Sequence, residues 1–258
     1  MELPILYSFK RCPYAMRARM AIFLTDTICE IREVKLSHKP LSMLEVSNKG
    51  TVPVLIDKNG KVYDESLDII NWALRKNNIF NENITVEQVS YSHELIAEFD
   101  KDFKFHLDRY KYSSRYISDE KLFHRDACMT ILKKLEPSYS KDVWFFDNKI
   151  NMIDICILPF IRQFRIADTN WFDALEEIPE IQGWLNRFLE SNLLKNIMIN
   201  YNTWEPENKK EFFPYKPIES IRHGIFPDSD LKCSSPEIFN FIVSIKLRKY
   251  EFYQKQEY

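Results

Sequence analysis

The feature that most constrains the fold is a cysteine followed by a proline at the point where a predicted strand gives way to a predicted helix. Residues 4–9 form an apolar run typical of a buried strand, and residues 14–25 have helical periodicity. Cys12 and Pro13 lie between them. Pro13 suits the first helical position, because its missing N–H would have no partner within the helix. The sequence therefore predicts that Cys12 lies at a helix N-terminus.

This position predicts thiol chemistry. The free N–H groups at a helix N-terminus favour an anion, so we expect the Cys12 thiol to ionise more easily than a free one. The thiolate is the nucleophilic form of sulfur. A C-x-x-C motif would place its second cysteine at position 15, where this chain has Ala15. We therefore expect Cys12 to react with a thiol supplied by another molecule.

The first eighty residues show an alternation of short strands and helices. Asn59-Gly60 is a strong hairpin signal between the last two strands, and Ser66 is the predicted N-cap of the last helix. The order βαβ-α-ββα is that of a thioredoxin-like domain, with a right-handed crossover between parallel strands. The predicted strands are residues 3–8, 31–36, 52–56 and 61–64, and the predicted helices are residues 16–24, 41–47 and 67–75.

Pro53 is unusual in a predicted strand, because proline cannot donate a hydrogen bond to a sheet. A trans proline at a strand edge is one interpretation. We favour a cis bond between Val52 and Pro53, which would turn the Val52 backbone outward. Val52 and Pro53 are therefore candidates for binding an extended, peptide-like ligand.

Several short motifs together resemble the N-terminal domain of a glutathione transferase. The single cysteine makes the chain most similar to the omega-like and other cysteine-type classes. The resemblance implies an α/β thioredoxin-like N-terminal domain followed by an all-α C-terminal domain. The motifs are Cys12-Pro13-Tyr14-Ala15, His38-Lys39-Pro40, Thr51-Val52-Pro53-Val54-Leu55 and Asp64-Glu65-Ser66.

The resemblance also implies a role for each matched residue. Cys12 would face the glutathione sulfur, and the Val52 backbone would pair with the cysteinyl part. Glu65 and Ser66 would hold the γ-glutamyl end, and Lys39 would bind the glycine carboxylate. The chemistry of glutathione agrees, since its α-ammonium requires a carboxylate, and its α-carboxylate suits a helix N-terminus with a hydroxyl.

The chain of 258 residues is long enough for two modest domains. We expect a glutathione-binding domain over residues 1–78, an all-helical domain over residues 84–200, and a C-terminal extension of unknown role over residues 201–258. Long helices are predicted over residues 86–111, 118–134 and 179–189. Another begins after Asn151, which with Asp154 forms a variant capping box. In the extension, we expect extended chain over residues 212–217 and a helix over residues 236–250.

Composition excludes several other classes of protein. A net charge of −2 offers no general attraction to nucleic acid or to an anionic membrane, and there is no apolar run long enough to span a bilayer. Four glycines and no G-x-G-x-x-G or Walker pattern argue against a phosphate-binding loop. The five cysteines lack metal spacing, so we expect no metal and a reducing cytoplasm. Cys29, Cys128 and Cys156 lie among apolar neighbours, as core residues do.

The basic residues near Cys12 and the histidines of the helical domain carry weaker signals. Arg11, Arg17 and Arg19 surround Cys12 in sequence, and we expect them to be solvated. The three histidines of the helical half are not at ligand spacing, so we expect surface or capping roles for them; they are His93, His106 and His124.

These observations favour a glutathione-dependent thiol transferase or reductase. Cys12 would form a mixed disulfide with glutathione, which acts as co-substrate, and the second substrate would be a small molecule or a glutathionylated compound. An alternative is conjugation of electrophiles to a glutathione thiolate held by Tyr7 or Ser8. Another is a non-catalytic interaction module of the same fold, since fold does not fix function. A homodimer is possible in each case.

Overall fold

The first domain is built on a mixed sheet whose central strand leads directly to Cys12. The computed structural model describes residues 3–75, 84–116, 120–139 and 143–214. Strand β1 pairs in parallel with β2 and antiparallel with β3, and the strand order is β4-β3-β1-β2-β5. The strands are β1 (Ile5–Ser8), β2 (Cys29–Glu33), β3 (Val54–Ile56), β4 (Val62–Tyr63) and β5 (Glu211–Phe213).

The helices of this domain are α1 (Pro13–Leu24), α2 (Leu41–Leu44) and α3 (Ser66–Leu74), which confirms the predicted βαβ-α-ββα order. Pro13 is the first residue of α1, as expected. The predicted N-cap of α3 is wrong by one position, because Glu65 precedes the helix and Ser66 is its first residue. Ser66 is nevertheless buried at that helix start.

All the regular elements of the second domain that the structure describes are helices. The long predicted helix over residues 86–111 is present, but residues Phe99–Phe103 form a π-helical turn within it. The Phe99 and Phe103 rings stack with centroids 4.4 Å apart, and both are fully buried. The helices are α4 (Val86–Glu98), α5 (Lys104–Lys111), α6 (Lys121–Leu135), α7 (Met152–Ala167), α8 (Thr169–Asp173), α9 (Pro179–Glu190) and α10 (Asn192–Ile197).

Helix α7 forms the buried centre of the second domain, and its start matches the predicted capping box. The Asn151 Oδ1 atom accepts from the Ile153 N–H at 2.9 Å, and Asp154 Oδ2 accepts from the Asn151 N–H at 2.7 Å. Asp154 Oδ1 also accepts from the Phe145 N–H and from the Trp184 indole N–H. This one carboxylate therefore ties α7 to α9 and to the segment before α7.

The C-terminal segment returns to the first domain. The Trp204 N–H donates to the Glu33 carbonyl at 2.8 Å, and β5 then pairs antiparallel with β2. Of the extended chain predicted over residues 212–217, Phe212 and Phe213 belong to a sheet strand, the Phe213 side chain is fully buried, and residues 215–217 lie outside the described residues. The helix predicted over residues 236–250 and Cys233 lie outside the described residues. No helix of the described chain is long and apolar enough to cross a membrane.

Candidate active site

Cys12 is the last residue before α1, where the chain leaves β1. Its N–H donates to the Phe9 carbonyl at 3.0 Å, which fixes the turn, and its side chain is partly exposed. The thiol Sγ donates to the Val52 carbonyl at 3.6 Å. The structure thus places the predicted nucleophile in contact with the predicted peptide-binding backbone.

The prediction that the Cys12 thiol ionises more easily than a free one is contradicted, because its pKa is raised. Burial is the largest influence and raises its pKa above the ordinary value. The backbone N–H groups of Ala15 and Tyr14 at the start of α1 lower the pKa, and the charges of Arg19 and Lys104 lower it further. The helix N-terminus lowers the pKa as expected, but the desolvation of the thiolate raises the pKa by more.

The peptide bond between Val52 and Pro53 is cis, which confirms the prediction. Both side chains are buried. The Val52 carbonyl is directed toward Cys12 rather than toward the sheet, since β3 begins only at Val54.

The other predicted glutathione-binding residues make contacts of their own with neighbouring side chains. Glu65 is exposed and pairs with Lys49, whose Nζ lies 2.5 Å from Glu65 Oε1 and 3.1 Å from Asp64 Oδ1. The buried Ser66 hydroxyl accepts from Arg17 Nη1 at 3.5 Å. Exposed Lys39 extends toward Gly50, with Nζ 3.7 Å from the place where a Cβ on that glycine would stand.

Arg17 corrects the expectation of a solvated arginine, because its side chain is fully buried between the domains. Nη2 lies 2.7 Å from Asp100 Oδ1, and Nη1 donates to Asp100 Oδ2 at 3.0 Å. Nε donates to the Cys156 carbonyl in α7 at 2.9 Å. Arg17 therefore connects the helix after Cys12 to both α7 and the π-helical turn, and it also contacts Ser66. The sequence indicates neither Asp100 nor this connection.

Arg19 is also buried, contrary to expectation, whereas Arg11 is exposed as expected. Nη1 of Arg19 donates to the Ser8 hydroxyl at 2.9 Å, and Nη2 donates to the Lys10 carbonyl at 2.5 Å. Burial lowers the pKa of Arg19 to about 10, and the neighbouring charge of Glu33 opposes this effect. Arg19 thereby supports the loop that carries Cys12.

The two hydroxyls that could stabilise a glutathione thiolate in a conjugating enzyme are buried and already form hydrogen bonds within the protein. Tyr7 is fully buried, and its hydroxyl donates to Ser42 Oγ at 2.9 Å and accepts from Arg32 Nη1 at 2.6 Å. Ser8 is also fully buried and accepts from Arg19.

The helical domain faces the Cys12 loop with polar side chains of α5 and α7. Gln163 Nε2 donates to the Arg11 carbonyl at 3.1 Å, and Lys111 Nζ donates to Gln163 Oε1. Sequence reasoning missed both residues, since nothing in their local pattern indicates that they face another domain.

Among the other described cysteines and histidines, three cysteines and His124 are buried. Cys29, Cys128 and Cys156 are fully buried, which confirms their prediction as core residues. His106 and His124 face each other with their Nδ1 atoms 2.8 Å apart, so the fold joins two residues that the sequence separates. Within the described ranges, no group of three or more potential ligands could hold a metal ion.

Comparison with known families matches both halves of the chain. Residues 6–79 match the family model of the glutathione S-transferase N-terminal domain, and residues 103–192 match that of the C-terminal domain.

Individual relatives and solved structures are similar over about three quarters of the chain. Protein IN2-1 homolog B of Oryza sativa is 30% identical over 191 residues, which cover 70% of this chain and 73% of the relative. Glutathione S-transferase omega-1 of Rattus norvegicus is 22% identical over 211 residues, which cover 77% of this chain and 82% of the relative. The crystal structure of rice GST1 in complex with glutathione superposes with a TM-score of 0.64 at 17% identity, covering 75% of this chain and 89% of that one.

Proposed function

Since this chain belongs to the glutathione S-transferase family, we propose that it is a glutathione-dependent thiol transferase or reductase with Cys12 as its nucleophile. One observation carries the proposal. Cys12 is a partly exposed residue at the start of α1 and its sulfur contacts the Val52 carbonyl, whereas Tyr7 and Ser8 are fully buried and their hydroxyls are already hydrogen-bonded.

The reaction would proceed by two thiol–disulfide exchanges. The Cys12 thiolate attacks the glutathione sulfur of a mixed disulfide, the substrate's S–S bond breaks, and the substrate leaves as a thiolate that takes up a proton. A second glutathione, as the thiolate, attacks the glutathione sulfur bound to Cys12. Oxidised glutathione is released, and the Cys12 thiolate takes up a proton to return to the thiol, the form that its raised pKa favours. The N–H groups of Ala15 and Tyr14 stabilise the negative charge on the Cys12 sulfur when the thiol has lost its proton to attack, and again when glutathione is displaced from it.

The same site offers partners for each part of glutathione, the ligand in the crystal structure of rice GST1. The Val52 backbone would pair with the cysteinyl part, next to the cis Pro53. Ser66 at the start of α3 is buried, and its hydroxyl would exchange its contact with Arg17 for the γ-glutamyl carboxylate. Glu65 would bind the ammonium group. Glu65 would then exchange its contact with Lys49 for the ligand. Lys39 would bind the glycine carboxylate.

Conjugation of an electrophile is the rival activity within this family. It requires a donor that stabilises the thiolate of glutathione. Tyr7 and Ser8 would have to break their present hydrogen bonds to do so.

Location and assembly are further parts of the proposal. No disulfide joins the cysteines of the described chain, which fits a reducing cytoplasm. A homodimer stays a prediction, and sedimentation of the purified chain tests it directly.

Mass spectrometry after exposure to oxidised glutathione tests the mechanism. We expect one glutathione adduct, mapped by peptide analysis to Cys12, and none on Cys12→Ser. The buried Cys128 and Cys156 serve as internal controls. The mechanism is wrong if no adduct forms while conjugation of an aryl halide proceeds and survives the substitution. Failure of the folded protein to bind immobilised glutathione would favour the interaction module instead.

A further inference from the structure

Three cations converge on the side of the Cys12 loop that faces the helical domain. Arg11 lies in the loop itself, Lys111 ends α5, and Arg162 lies in α7. Gln163, next to Arg162, donates to the Arg11 carbonyl and accepts from the Lys111 ammonium. Burial is the largest cause that lowers the pKa of Lys111, and the charges of Arg162 and Arg11 lower it further, so each of these two guanidiniums lies within electrostatic reach of Lys111. We refer to Arg11, Lys111 and Arg162 as the cation cluster.

Among the described residues, the cation cluster has no matching set of carboxylates. Arg162 is only partly exposed and has neither an ion pair nor a hydrogen bond within the described part of the chain. Burial lowers its pKa, and the charge of Arg165 lowers it further. Asp108 is the acidic group that acts on Lys111, and it already binds Lys104.

Arg165, on the same helix as Arg162, differs from it in having a carboxylate partner. Its Nε and Nη2 atoms each lie 2.6 Å from an oxygen of Asp173. That guanidinium therefore has the carboxylate that Arg162 lacks.

Half-buried positive charges without a counter-charge lower the free energy of unfolding, because they have lost part of their hydration. An anionic ligand that pairs with them compensates for this loss. The two carboxylates of glutathione have proposed partners of their own in the first domain, Ser66 and Lys39. From this geometry we propose that the second substrate carries an anionic group, such as a carboxylate or sulfonate, which binds Arg162 and Lys111 beside Cys12. This inference rests on the proposed function and specifies its substrate class: mixed disulfides of glutathione with acidic thiols.

The test compares two mixed disulfides of glutathione that differ in one terminal group. One contains 2-mercaptoethanol, which is neutral, and the other contains 2-mercaptoethanesulfonate, which is an anion of similar length. We expect the wild-type kcat/KM to be about tenfold higher for the sulfonate, because one hydrogen bond to a charged group stabilises a complex by about that factor. Arg162→Gln should abolish this preference, because kcat/KM for the sulfonate falls to about the value for the neutral substrate.

Arg165→Gln is the matched control, because it removes the same charge from the same helix at a position paired with Asp173. It should keep the sulfonate preference. Lys111→Gln is a second cluster variant and should reduce the preference, which protects the test if Arg162→Gln fails to fold.

A binding measurement separates this inference from the thiol mechanism. The thioethers S-(2-sulfoethyl)glutathione and S-(2-hydroxyethyl)glutathione cannot undergo disulfide exchange, so calorimetry reports recognition alone. We expect the sulfonate to bind about tenfold more tightly to wild type and equally to Arg162→Gln. Equal binding of the two thioethers to wild type overturns the anionic-substrate inference, even if Cys12 turns over both disulfides. Tighter binding of the sulfonate without any disulfide turnover supports recognition of an anionic group by the cation cluster, but it refutes the thiol mechanism and with it mixed disulfides as the substrate class.

Discussion

The buried contact between Arg17 and Asp100 provides the sharpest test of how the two domains are held together. Arg17 is fully buried in α1, while the Asp100 side chain on the π-helical turn keeps 28% of its surface exposed. Asp100→Asn removes the negative charge with little change in shape. The Arg17 guanidinium would then lose its only ion pair among the described residues and keep its bond to the Cys156 carbonyl.

The expected cost follows from that partial exposure. Removing one partner of a fully buried ion pair costs about 3–5 kcal/mol. Water reaches the exposed side of Asp100, and the new amide oxygen can still accept one hydrogen bond, so we expect a loss of about 2 kcal/mol. With a urea dependence of about 3 kcal/mol per M, the unfolding midpoint should fall by roughly 0.7 M.

Urea unfolding followed by circular dichroism measures this change. Asp102→Asn is the control, since Asp102 lies on the same turn, is 57% exposed and lies 3.9 Å from its partner Lys101. It should change stability by less than about 0.5 kcal/mol. Adding Arg17→Met to Asp100→Asn should cost less than the sum of the single changes, because the unpaired charge is gone. Equal midpoints for Asp100→Asn and Asp102→Asn would refute the reasoning.

Three further predictions concern the nucleophile, the capping carboxylate and the added strand. Because burial raises the pKa of Cys12, its alkylation by iodoacetamide should keep accelerating as the pH rises; a rate already constant below about pH 7 would contradict this. Asp154→Ala leaves three buried N–H donors without their acceptor and should lower the free energy of unfolding by about 3 kcal/mol or more, whereas exposed Asp126→Ala should change it little. Phe213→Ala empties a fully buried site and should cost about 3–4 kcal/mol in the same assay; a loss no larger than that of Glu211→Ala would show that β5 contributes little to stability.

Local sequence signals predicted most of the first domain. The order of its strands and helices follows from apolar periodicity and from turn residues, which act over only a few positions. The same holds for Pro13 at the first position of α1 and for the capping box of Asn151 and Asp154. Each signal depends on neighbours within one turn of the chain, so one sequence is sufficient to detect it.

The predicted bounds of strands and helices are less accurate where tertiary packing, and not the local sequence pattern, determines where an element ends. The second strand was predicted over residues 31–36, but it covers Cys29–Glu33, because its ladder is set by pairing with β1 and β5. The pairing of Cys29 with Phe213 joins positions far apart in the chain, and no local pattern indicates it. Helices α8 and α10 were missed because they have only five and six residues, too few to show periodicity.

The sequence by itself determined which residues could form the site: a cysteine without a local partner at a helix start, with a proline-linked strand to face it. Only the tertiary structure decided the charge environment of that cysteine. It buried Arg17 and Arg19, raised the pKa of the thiol and left Arg162 without a carboxylate among the described residues. The physical reason is that desolvation and Coulomb energies depend on every element that surrounds a group, whereas capping and periodicity depend on a few neighbours along the chain.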